Sequence, residues 1–157
     1  MRRTSHADTH CSIARALDIV GDPWTLLVVR EAFFGTRRFE DFRRALGIPR
    51  ATLADRLDLL VDHGVLERRP YLEHPPRDEY VLTERGQDLQ GVIIALMAWG
   101  DRWGGLPEPP VVLTELGSGR VLEPVLVDRT SGRPLAELSV RPVRRPRRDP
   151  AGPGPPR

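Results

Sequence analysis

The sequence predicts a mainly α fold carrying one small β-hairpin, followed by a short β-rich C-terminal extension. Three observations predict it. Apolar residues recur at helical spacing from Ile13 to Leu60; glycine and proline interrupt that pattern at regular intervals; and two short runs rich in branched and aromatic residues, 65–72 and 79–83, flank a turn. At 157 residues and 39% hydrophobic content, the chain can bury one well-packed domain and still carry appendages.

Ile13, Ala16, Leu17 and Val20 give the first helix one apolar face, and Gly21 ends it. Asp22-Pro23 starts the next, with a capping carboxylate and a proline whose missing N–H costs nothing at the first helical position. "WTLLVVREAFF" is apolar almost all round from Trp24 to Val29, which marks a central buried helix stopped by Gly35. Phe39, Phe42 and Leu46 stripe "FEDFRRAL", and "GIP" breaks it. Leu53, Leu57 and Leu60 then form the core face of a longer helix that ends at Gly64. A short helix, a tight glycine turn and a longer helix make a helix-turn-helix pattern.

The runs "VLERRPYL" and "EYVLT" read as a hairpin, with Pro70 placing its first strand at an edge and Pro75 and Pro76 stiffening the tip. Thr83 caps one long final helix of about 20 residues, in which "VIIALMAW" is apolar around its whole circumference. One side faces its own domain. The other calls for a partner, either a second copy of the chain across a two-fold axis or the chain's own C-terminal segment, and Ile13, Leu17, Val92, Leu96, Trp99 and Trp103 are the candidate dimer-interface residues. The expected organisation is a flexible N-terminus over 1–10, the helical domain over 11–104, the small β-rich extension of two or three strands over 105–143, and a disordered Arg/Pro/Gly tail over 144–157.

All 24 basic residues are arginine, and the formal net charge is only +2. Residues 1–104 carry 15 arginines against 16 carboxylates, so any basic surface there has to come from segregating charge. The single cysteine, Cys11, excludes an intramolecular disulfide, and the absence of a signal-like or membrane-length apolar run leads to the expectation of a cytoplasmic protein with no membrane contact. No phosphate-binding glycine loop, nucleophile elbow or metalloprotease helix occurs, so no enzyme activity and no cofactor are expected. His6, His10 and Cys11 lack the second cluster that a zinc site needs, so no metal is expected either. Cys11, at the start of the first helix, is either a reactive thiol that senses oxidants or a small inert residue.

A helix-turn-helix followed by a hairpin forms a winged helix, and duplex DNA explains its parts. The second helix, over 49–63, enters the major groove and presents its N-terminal residues to base edges, while the wing over 65–83 meets the flanking groove or backbone. Arg50, Thr52 and Arg56 are the candidate contacts on that helix, Arg37 and Arg38 ahead of it, and Arg69 and Arg77 on the wing. Arg56 has an alternative, an ion pair with Asp55 or Asp58. The alternative function is a winged-helix module that binds protein rather than DNA.

The same residues resemble the HxlR-type, MarR-related winged-helix transcriptional regulators over about residues 10–103. The resemblance rests on "CSIARALDIVGDPW", "RRFEDFRRALGIPRATLADRLDLLVDHGVLERRPY" and, most specifically, "PPRDEYVLTERG". It implies a homodimer, joined through its first and last helices, that binds a roughly palindromic DNA operator; the expected role is that of a repressor, with an activator as the alternative. A small-molecule or oxidant effector, of unknown identity, is also implied, with Cys11 matching a sensing cysteine of some members. Two departures stand out. Pro49 replaces the usual Ser or Thr at the start of the recognition helix, and the extension resembles one in which two turns carry cysteine pairs, where this chain has "GSG" and "DRTSG" instead.

Overall fold

The structure, a computed structural model, describes residues 6, 9–74 and 76–144; the expectations for Pro75, the first residues and the tail beyond 144 fall outside them. The chain divides into two compact units, Met1–Pro107 and Glu108–Arg157.

In the first unit, α1 (Ser12–Val20) ends at Gly21, and α2 (Pro23–Phe33) begins where the Asp22 carboxylate accepts the Trp24 N–H at 3.0 Å. The remaining helices are α3 (Phe39–Leu46), α4 (Arg50–Asp62), a single turn α5 (Glu84–Gln87) and α6 (Gln90–Trp103). Helix α2 is central and packs against α1, α3, α4, α6 and the hairpin. Val28, Val29, Phe42, Leu53, Leu57 and Leu60 are fully buried, each stabilising the fold by about 1.5–3 kcal/mol.

The hairpin pairs β1 (Leu66–Leu72) with β2 (Arg77–Leu82) antiparallel, from Leu66 opposite Leu82 to Leu72 opposite Arg77, with a bulge after Pro70. Proline has no N–H for the ladder, and the bulge absorbs that loss. The other side of β2 is occupied. Arg38 bridges Glu79, and the Tyr80 N–H donates to the Arg37 carbonyl at 2.7 Å.

The single long final helix expected from the sequence is broken at Asp88-Leu89. There the Leu89 N–H donates to the Gly86 carbonyl at 3.1 Å, three residues back instead of four. Gly86 explains the break. A β-carbon there would lie 2.2 Å from the Val65 carbonyl oxygen, so the first turn is pinned to the hairpin base while α6 follows the core through Ile93.

The second unit departs further from expectation. Among its described residues there is no extended strand; two turns are each closed by one bridge, Thr114 opposite Val121 and Val127 opposite Pro134, and a 3-10 turn follows at Leu135–Glu137. The turns repeat each other thirteen positions apart, "ELGSGR" and "DRTSGR". Gly119 and Gly132 both take positive φ, the Ser118 hydroxyl donates to Glu115 at 2.6 Å, and the Ser131 hydroxyl donates to Asp128 at 2.7 Å. In each turn the serine and the carboxylate bond to one another and to the turn's backbone, as in Asx and ST turns.

Candidate nucleic-acid interface

The turn between α3 and α4 is three residues, Gly47 to Pro49, and Gly47 at φ 62° adopts the left-handed conformation that favours glycine. Pro49 caps α4 with extended backbone and no side-chain hydrogen bond. The first amides of α4 are therefore left without a capping oxygen. Leu53, Leu57 and Leu60 anchor α4 to the core, which leaves Arg50 exposed and Thr52 partly so.

Arg50, Arg38 and Arg77 line one groove of about 500 Å³ between α3, α4 and the hairpin. Aromatic rings support two of them: the Arg50 guanidinium lies 4.9 Å from the centre of Phe39, and that of Arg38 lies 4.6 Å from the centre of Tyr71. Arg77 is exposed at the start of β2, and its guanidinium has no partner among the described residues. Tyr80 lines the same groove, and burial pushes its hydroxyl pKa up.

Carboxylates hold the other candidate arginines. Arg37 lies 3.8 Å from Glu79, and Arg69 pairs with Glu67 on its own strand. Arg50 also has an acidic neighbour, since its terminal nitrogen is 2.5 Å from Glu40. Glu40 takes a second bond from Arg43 Nε at 2.8 Å, and the hydrogen bonds from Arg43 and then Arg50 hold its carboxyl below the usual carboxylate range.

Arg56 does not join this group. Its side chain is only 24% exposed, and Nε lies 3.0 Å from Asp22 Oδ1, so the guanidinium turns toward the start of α2. The alternative pairing of Arg56 with Asp55 or Asp58 is not made either, and Asp58 pairs with Arg68 on β1 instead. Sequence reasoning missed Glu40, Asp22 as partner of Arg56, and the two supporting rings. Glu40 and Arg43 stand at helical spacing and were legible as a pair, whereas Glu40 and Arg50 meet only across the turn.

Away from the groove, Ile13 and Leu17 on α1 and Val92, Leu96, Trp99 and Trp103 on α6 are all exposed, Trp99 by 65% and Trp103 by 63%. Cys11 is the exposed N-cap of α1. In the second unit, hydrogen bonds from Ser118 and Ser131 hold the Glu115 and Asp128 carboxyls below their usual range. Among the described residues no group of three or more His, Cys, Asp or Glu could hold a metal ion, and no helix is long and apolar enough to cross a membrane.

Comparison with known proteins gives a consistent result. A family model described as HxlR-like helix-turn-helix matches residues 19–107. The HTH-type transcriptional regulator Rv3095 of Mycobacterium tuberculosis is 46% identical over 139 residues, covering 88% of this chain and 88% of the relative. Among solved structures, PA1607, described as a transcription factor, superposes with a TM-score of 0.80 at 39% identity, over 90% of this chain and 100% of that one. The reduced form of the redox regulator HypR superposes with a TM-score of 0.56 at 30% identity, over 59% of this chain and 92% of that one.

Proposed function

The chain belongs to the HxlR-like helix-turn-helix family of DNA-binding transcriptional regulators, and from that premise we propose that it acts as a homodimeric repressor on a roughly palindromic operator. Helix α4 enters the major groove with Arg50 and Thr52 toward base edges. In this reading Arg77 and Arg69 of the hairpin lie along the flanking backbone or minor groove, and Arg37 and Arg38 meet phosphates beside them. Exposed apolar faces of α1 and α6 join two copies, which spaces two α4 helices for two half-sites. As a repressor it acts by occupancy: a dimer lying across an operator blocks the same duplex to other proteins. The single observation that carries this reading is the convergence of Arg38, Arg50 and Arg77 on one groove at the α4 N-terminus.

The test is fluorescence anisotropy with a duplex selected from random sequence, titrated across salt concentrations. Arg77→Ala is expected to weaken binding and reduce the slope of log affinity against log salt by about two, one phosphate contact per protomer. Arg56→Ala should leave that slope unchanged, because its guanidinium is turned inward. An Arg77→Ala protein with wild-type affinity and slope overturns the wing's role, and a wild type without salt-dependent DNA binding leaves the protein-binding module as the better reading.

A further inference from the structure

The first unit meets a polyanion while carrying no excess positive charge, with 15 arginines against 16 carboxylates over residues 1–104. The groove shows how this is arranged. Of the three arginines that line it, Arg38 rests on a ring and Arg77 has no acidic partner among the described residues, but Arg50 is held by Glu40. Glu40 differs from the other paired carboxylates of this face. It takes Arg43 of its own helix and Arg50 of the next, so its charge links the two helices, and it lines the groove with Asp41 and Asp78. Its side chain is 50% exposed and Arg50's is 72% exposed, so neither the pair nor the carboxylate is buried for the sake of the core.

Resting on the DNA-binding reading above, we propose that Glu40 is a specificity-determining residue: its carboxylate holds Arg50 as an internal stand-in for a DNA phosphate. Sequence-independent affinity comes from arginines meeting phosphates. For Arg50 that contact exchanges one anion for another and gains little, while Glu40 also repels the incoming phosphate. A matching operator offers something different. Only Nη1 of Arg50 is bonded to Glu40, so a base edge that accepts a forked pair of hydrogen bonds from Nε and Nη2 can be met with the ion pair kept. The fork is offered where Arg50 already lies, because Glu40, itself held by Arg43, and the Phe39 ring keep the guanidinium at the start of α4, whereas reaching a phosphate breaks the pair. Glu40 thus lowers affinity for the wrong DNA more than for the right DNA.

The experiment compares full-length wild type, Glu40→Gln and Glu40→Gln/Arg50→Gln by anisotropy on the selected duplex and on an unrelated duplex of equal length, from about 50 to 200 mM salt. Glutamine keeps the size of the side chain and removes the charge. Glu40→Gln is expected to tighten the unrelated duplex about tenfold, with a salt slope steeper by about two per dimer, and to tighten the selected duplex much less. The double variant should lose the gain. Unchanged affinity for the unrelated duplex, or equal tightening on both duplexes, overturns the proposal. Weaker binding with a lowered thermal midpoint also overturns it, since Glu40 would then be a clamp between α3 and α4. A wild type that binds the selected duplex with a steep salt slope keeps the DNA-binding reading intact under any of these results.

Discussion

Asp22 Oδ1 serves two neighbours, accepting the Trp24 N–H at 3.0 Å and lying 3.0 Å from Arg56 Nε. Its capping role is local and could be read from "DPW", where a carboxylate precedes a proline at the first helical position. The pairing with Arg56 joins positions far apart in the chain, and no short-range spacing reports it. Both side chains are less than a quarter exposed, so the pair is less screened than the surface pairs around it. Arg56→Ala is expected to lower stability by about 1 kcal/mol, read from the urea midpoint at constant m. An unchanged midpoint would return Arg56 to the set of free surface cations. Arg50, Arg69 and Arg77 were legible as exposed arginines on their elements, but which of them a carboxylate restrains depends on contacts between elements.

The hairpin is tied to the helical core at its base. Thr83 Oγ1 donates to the Gly64 carbonyl at 2.6 Å and accepts the Gly86 N–H at 3.1 Å, which links the end of α4, the end of β2 and the start of α5. Thr83→Ala removes a cap and a link to the end of α4 together and should cost about 1–2 kcal/mol, with faster exchange of the Gly86 amide as the local signature. Wild-type exchange at Gly86 would refute that link. The two strands and the cap were legible because branched residues, proline punctuation and a threonine before a helix are local signals. The second partner of β2, the Arg37-Arg38 segment, was not legible, since so short a bridge leaves no alternation to detect. The break at Asp88 was hidden for a related reason: "ERGQDLQGVIIALMAW" reads as continuous helix until Gly86 meets the Val65 carbonyl.

For the whole molecule, the proposed homodimer makes a direct prediction. Leu96 is 47% exposed and lies outside the core, so Leu96→Asp should fold normally yet sediment as a monomer at micromolar concentration and lose operator affinity. A wild type that is itself monomeric at that concentration, or a dimeric variant, would refute this interface. The central α2, the two-helix reading head, the hairpin wing and the unpartnered apolar helix follow from the sequence by itself, because each is set by periodicity and turn chemistry within about twenty residues. The repeat in the extension was equally legible in "ELGSGR" and "DRTSGR", although its turns form without the strands that the Val/Leu runs predicted. Tertiary structure alone decided that Arg56 turns inward, that Arg38, Arg50 and Arg77 share a groove, and that Glu40 restrains Arg50. Those facts depend on where side chains of different elements converge, and electrostatic partners are chosen by distance in space rather than by spacing along the chain.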